Sequence, residues 1–486
     1  MLKSAPLTIL LRLLGYGALG VLLTLFVVYG IFLSRLPTLS LWHTARLDAE
    51  FTVADADRIR TLADYRANED RLFAQLQSEV YDRVPPEERL AFNRYTAGSR
   101  ADARALVPDW NRTIELPVAS PKGAVLLLHG QSDSPYSMRA LGLRLHAQGF
   151  HVVILRAPGH GAAPSGMLYA DWHDMAAAQR LAMRDLAARL GPDVPITMIG
   201  YSTGAALAVD YALARLQGEA VPPVARIVLV SPAIGVSPAA KFAVWQGRIA
   251  VLARAPRAAW TDVQPEYDPY KFNSFTINAA DLVFQITADI RQRMQALNRN
   301  GPVSGLPPIL AFSSIADATV STRAVVDTLF LRLAPGGHRL VLFDVNRHAA
   351  AAALFAGGGL TVDRALLDGP ALPFDLSIVG NANAQTLDVV TRTRKAGTRE
   401  LVESPLGMQW PRNIFSLSHV ALPFPPDDPV YGAVRPANSP LMFLGRLEVQ
   451  GERGLLAVGP AAMLRLRHNP FFEPMAAEID AFVARR

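Results

Sequence analysis

The sequence predicts an α/β fold in which a mostly parallel sheet is covered by helices on both faces. Three observations carry that prediction. From Lys122 onward, short continuous apolar runs alternate with helical patterns, as strands buried on both faces require. One junction holds the spacing Gly200-Tyr201-Ser202-Thr203-Gly204 between the β-branched, apolar "VPITMIG" and the strongly helix-forming "TGAALAVDYALARL". Half of the 486 residues are hydrophobic, enough for a sizeable core.

The first element is a membrane-span candidate. Residues 13–33 contain no charged side chain, with Lys3 and Arg12 before them and Arg35 after. At about 1.5 Å per residue this helix reaches roughly 30 Å, the thickness of a bilayer's hydrocarbon core. The stretch is long for a signal-peptide h-region, and no A-x-A-like site follows in "SRLPTLSLWHTARL". The sequence therefore predicts a retained anchor over 1–36. Basic residues tie on the two flanks, Lys3 and Arg12 against Arg35 and Arg46. The free amino terminus tips the balance and places the globular part in the periplasm. Gly15, Gly17 and Gly20 match G-x-G-x-x-G, but inside an apolar span with no preceding strand the match has no meaning.

Residues 37–115 read as a helical segment. Ile59, Leu62, Tyr65, Leu72, Phe73, Leu76 and Val80 recur at three- and four-residue steps among charges, an amphipathic face suited to packing on the main domain. The alternation itself fills 116–486. "AVLLLHG" is a strand and "SMRALGLRLHAQG" a helix; "HVVILRA" is a strand and "DWHDMAAAQRLAMRDLAARLG" a helix. "ITMIG" leads to the Ser202 helix and "ARIVLVSPA" is the next strand. "PILAFSS" and "HRLVLFDV" bracket a helix capped near Ser321. Two insertions interrupt this order. Residues 234–306 are rich in aromatics and proline; residues 346–413 are Ala/Gly-rich, with possible strands "LSIVG" and "LDVVTRT". Either is placed to cap the strand ends.

A G-x-S-x-G spacing arises by chance roughly 0.1–0.2 times in a chain of this length. It carries chemistry when a strand enters and a helix leaves, because that tight turn thrusts the serine Oγ out above the sheet. A serine hydroxyl is a weak nucleophile and needs an adjacent base held by a carboxylate. In chain order after Ser202, Asp317 of "FSSIADATV" sits just past an apolar strand. Two histidines compete as the base: His348 in "FDVNRHAAAA", directly after the last core strand, and His419 in "NIFSLSHVALPF", beyond the second insertion. We favour His419, since the Ala run after His348 looks like a helix start. Two backbone N–H donors must face a developing oxyanion, and Thr203 and Gln131 occupy the positions that supply them. His129 would then shape its loop; His146, His151 and His173 sit in or beside predicted elements and read as structural.

"VLLLHGQSDSPYS", "RAPGHGAAPSG", "GYSTGA", "SSIAD" and "SHV", in this order, resemble the α/β-hydrolases of the monoacylglycerol lipase and lysophospholipase group, also called serine-aminopeptidase-like hydrolases. The resemblance covers roughly 122–333 and the His419 loop. It implies an α/β-hydrolase fold, with Ser202 as nucleophile, Asp317 and His419 as its partners, and Gln131 and Thr203 as the oxyanion hole. Arg156 stands where many relatives carry Asp.

The expected function is a membrane-anchored serine hydrolase of carboxylic esters, with lysophospholipids or monoacylglycerols as the substrate class. A peptidase, amidase or acyltransferase would use the same triad, and a non-catalytic membrane-tethered scaffold is the reading from another class. No cofactor is expected. With no cysteine and no H-E-x-x-H, a metal centre has no support. The net charge of +6 is dispersed, without a basic block interleaved with aromatics, so nucleic acid is not an expected partner. Arg- and Ala-rich usage points to a GC-rich bacterial genome, hence to the bacterial inner membrane.

Overall fold

The computed structural model describes residues 5–35, 38–235, 256–350, 366–437, 439–446 and 464–485. Parts of both insertions, 236–255 and 351–365, and the two ends of the predicted anchor lie outside the described residues.

A ten-stranded sheet organises the molecule. Strands β1 (Ile114–Leu116), β2 (Ala124–Leu128), β3 (His151–Leu155), β4 (Ile196–Tyr201) and β5 (Arg226–Val230) come first. The first insertion adds a small separate pair, β6 (Trp260–Asp262) and β7 (Phe275–Thr276). Strands β8 (Ile309–Ser314), β9 (Arg339–Phe343), β10 (Asp375–Asn381), β11 (Asp388–Arg394) and β12 (Leu401–Gln409) complete the sheet. Its order is β1-β3-β2-β4-β5-β8-β9-β10-β11-β12. The seven strands from β3 to β10 pair in parallel, while β1, β11 and β12 join antiparallel.

Successive residues of a strand point to opposite faces, and both faces are covered, which is why the strands read as unbroken apolar runs. Leu126, Leu128, Met198 and Leu229 belong to one core cluster; Val125, Leu127, Ile199 and Val228 belong to the other. Helix α1 (Ala5–Arg35) stands apart, and α2 (Leu62–Glu79), α3 (Arg139–Ala147), α4 (Trp172–Leu190), α5 (Thr203–Leu216), α6 (Ile277–Asn298), α7 (Thr322–Thr328) and α8 (Phe472–Val483) surround the sheet. Residues of α4, α5, α6 and α7 fill the first cluster, and those of α3 and α8 the second.

The apolar stripe of 37–115 is buried. Thr61 caps α2 by accepting from Asp64 N, and Asp64 returns the bond to Thr61 N. Leu62 and Tyr65 join the first core cluster, whereas Leu72, Phe73 and Leu76 pack with Trp42 and Tyr95 in a cluster of their own. By contrast the part of α1 from Arg12 to Ile31 is long and apolar enough to cross a membrane, and none of that window is buried.

The second insertion departs from a cap. Its chain supplies β10, β11 and β12, which lengthen the sheet beyond β9. The last of these is an edge strand with mostly exposed side chains, irregular in register beside Asp388, carrying Pro405 and a left-handed Gly407 (φ 71°).

The chain leaves β2 for β3 on one side and returns to β4 on the other. The carboxyl ends of β2 and β4 thus flank the point where strand order reverses, the usual ligand crevice of such sheets.

Candidate active site

Ser202 lies at that crevice, in the turn between β4 and α5, with φ 54° and ψ −115°. This left-handed backbone is unfavourable for a serine and is held by its surroundings: Ser202 N donates to Val230 O at 3.0 Å, and Ser202 O accepts from Ala205, Ala206 and Ala233. The two flanking glycines are needed for close approach. A Cβ on Gly204 would stand 2.2 Å from Leu128 O, and one on Gly200 would stand 2.4 Å from Ala205 N. The helix can therefore start directly against the end of β2.

Asp317 follows β8 in a tight loop. Its Oδ1 accepts from Thr319 N at 2.8 Å and Val320 N at 3.0 Å, and its Oδ2 faces His419 Nδ1 at 2.9 Å. Burial pushes the Asp317 carboxyl up, but the His419 bond and charge with the two amides hold it below its ordinary value. His419 opens a short 3-10 turn, His419–Ala421, and its ring packs 5.3 Å from that of Tyr201, the residue before Ser202. With Nδ1 committed to Asp317, Nε2 is the nitrogen left to accept a proton. His348 is not brought to Asp317; it is half-exposed, and its Nδ1 accepts from Ala350 N at 3.3 Å.

Gln131 follows Gly130 past the end of β2, and Thr203 is the first residue of α5, so both N–H groups belong to the turns that flank the crevice. His129 holds the Gly130 carbonyl: its Nδ1 is 2.8 Å from Gly130 O, while its Nε2 accepts from Ala157 N at 2.9 Å. That pattern fits a neutral ring protonated on Nδ1, and burial depresses its pKa to about 4. Ser132, next along, takes φ 61° and accepts from Phe272 N of the first insertion at 2.8 Å. Beside it Asp133 Oδ1 receives Lys271 Nζ at 2.8 Å. A cleft of about 1290 Å³ opens next to His419, walled by Lys271 and Phe272 of the first insertion, the 411–420 segment and the 464–470 segment. Among the described residues no group of three His, Asp or Glu converges as metal ligands would.

Residues 119–351 match the Hydrolase_4 family, serine aminopeptidase S33. The chain has the α/β-hydrolase fold. Solved structures similar to this chain include that of LipS and LipT, two metagenome-derived lipolytic enzymes, at 22% identity and TM-score 0.36, over 49% of this chain and 88% of that one. A monoglyceride lipase from Saccharomyces cerevisiae in complex with a substrate analogue matches at 16% identity and TM-score 0.37, over 48% and 82%. Est1E from Butyrivibrio proteoclasticus, with ferulic acid bound, matches at 15% identity and TM-score 0.32, over 48% and 85%. No curated protein matches the chain.

Arg156 of the hydrolase domain has an account in the structure. It is completely buried and bound by the N-terminal segment: Nη2 to Glu50 Oε1 at 2.8 Å, Nη1 to Glu50 Oε2 at 3.0 Å, and Nε to Glu69 Oε1 at 2.8 Å. Glu50 also accepts from Gly159 N, and Glu69 from Thr113. Burial pushes the Glu69 carboxyl above its ordinary value against the pull of Arg156. The sequence reading missed this network and the Asp133–Lys271 pair. Glu69 lies within the apolar stripe of α2, a charge among buried neighbours, and that was the available signal.

Proposed function

We propose that this chain is a membrane-anchored serine hydrolase of carboxylic esters. Ser202 Oγ attacks the acyl carbonyl while His419 Nε2 takes its proton and Asp317 orients the ring. The Gln131 and Thr203 N–H groups hold the oxyanion. The protonated His419 then donates to the departing alcohol, and water, activated by the same ring, cleaves the acyl-enzyme to release the acid. The observation that carries this reading is the 2.9 Å His419–Asp317 pair, with the His419 ring 5.3 Å from that of Tyr201, the residue that precedes a left-handed Ser202 at the head of α5.

The helix Arg12–Ile31 serves as the anchor in a bacterial inner membrane, with the hydrolase domain, 116–486, on the periplasmic side and 37–115 packed on it. Lysophospholipids and monoacylglycerols are the substrates such an anchored esterase meets at the bilayer surface. Fluorophosphonate labelling of the detergent-solubilised protein with peptide mapping tests the site. The expected result is phosphonylation of Ser202, lost in His419→Ala and kept in His348→Ala. A folded wild type that takes no label would reject the enzymatic reading in favour of a scaffold.

A further inference from the structure

The charge on the cleft wall is one-sided. Lys271, Arg446, Arg465 and Arg467 line it, and among the described residues Asp133 is the one lining carboxylate. Lys271 neutralises Asp133 at 2.8 Å, and Arg467 stands 3.6 Å from Asp268. Arg465 Nη2 donates to an uncharged partner, the Thr319 hydroxyl, at 2.9 Å, two residues past Asp317. Its charge is felt next to the nucleophile: burial and Asp133 hold the Tyr201 phenol far above its ordinary value, and Arg465 pulls against them. Lys271 is close as well. Ser202 Cβ and Asp133 Oδ2 crowd the same point over Gly130, at 3.0 and 2.8 Å from where its Cβ would be, and Lys271 binds the other oxygen of that carboxylate. The same lining includes the apolar side chains of Phe272, Phe415, Leu417, Phe424 and Leu466.

A lining that combines apolar side chains with cations suits an amphiphile that carries both an acyl chain and an anion. We propose that the cleft selects acyl esters whose leaving group carries an anion, a phosphate or a carboxylate, received by Arg446 and Arg465. This rests on the hydrolase reading above and adds the charge class of its substrate. Arginine forks bind such oxyanions with paired, charge-assisted bonds, and a cleft of one sign concentrates ligands of the other.

The test compares kcat/KM of the full-length protein in uncharged detergent at low salt for 1-decanoylglycerol, its 3-phosphate and its hemisuccinate. Wild type is expected to favour an anionic ester by roughly tenfold or more. Preference for both anions supports recognition of charge; preference for the phosphate alone supports recognition by the arginine forks. Arg446 and Arg465 are exposed, so R446Q/R465Q is expected to fold and to bring the ratio toward about one. R323Q, an exposed arginine paired with Asp327 on α7, is expected to keep it. Equal kcat/KM for neutral and anionic esters in wild type, or a preference that survives R446Q/R465Q, would overturn the proposal. Failure of the hydrolase reading looks different: no ester is turned over, Ser202 takes no fluorophosphonate, and both readings fall together.

Discussion

Ser132, Ser202 and Ser231 are the non-glycine residues with left-handed backbones among the described residues, and they follow the adjacent strands β2, β4 and β5. Each such conformation costs about 1–3 kcal/mol and persists only where packing over-determines it. Removing the Ser202 hydroxyl leaves that packing intact, so Ser202→Ala is expected to lose roughly 10⁴–10⁶-fold in kcat with little change in melting temperature. Gly204→Ala fails differently. Its methyl would meet the Leu128 carbonyl at 2.2 Å, and the expected readout is loss of folded protein. The buried histidines set an acid limit. Burial depresses His129 to about 4 and His160 to about 3. Between those values and 6.5 the unfolded chain binds protons that the folded chain refuses, so stability is expected to fall as pH drops from about 6.5 toward 4. Urea melts at about pH 7 and 5 check this, and equal midpoints would contradict it. Ser202 and Asp317 are proposed from motifs local to strand ends, and His419 from chain order and its loop. The contacts His419 and Lys271 make lie 102 and 138 residues away, distances at which no spacing rule operates.

At the level of elements, α2 and the segment before it bind the hydrolase domain through charge as well as through apolar contact. Arg156 is fully enclosed by Glu50, Glu69 and the His160 carbonyl. Arg156→Met would strand Glu69 in the interior and is expected to cost about 3–5 kcal/mol, while adding Glu69→Gln recovers part of that loss. Denaturant melts of the single and double variants decide it; equal losses would mean that Glu69 is not the group left uncompensated. Sequence patterning served well where elements are buried. The stripe from Ile59 to Val80 carried a clear period and the core strands unbroken apolar runs, because burial on one face writes the first and burial on both faces the second. It served poorly for β12, whose side chains are mostly exposed and follow no apolar alternation. "LSIVG" and "LDVVTRT" were visible as strands, but their role in extending the sheet was not, since register and neighbours are set by tertiary pairing.

Over the whole molecule, the apolar helix and the hydrolase domain are joined by very little chain. The helix α1 ends at Arg35, while Trp42 is already buried against Tyr95 and His43 Nε2 meets Ser274 Oγ of the first insertion at 2.9 Å. The linking chain between Arg35 and Trp42 is short in sequence, and under the proposed anchoring it would hold the domain close to a lipid surface. Because the Arg12–Ile31 window of α1 is not buried, removal of residues 1–36 is expected to release an active domain with an unchanged melting temperature. Sedimentation with membranes and thermal melting check both halves of that expectation. The β12 edge of the sheet faces another hazard. A nine-residue strand ends the sheet with one side open, and an open strand is a template on which identical chains can stack into fibrils. Pro405 offers no N–H to an incoming neighbour, and the left-handed Gly407 bends the strand out of line. These two residues act as guards against self-assembly, and replacing both with valine is expected to turn a well-behaved protein into one whose light scattering climbs with concentration.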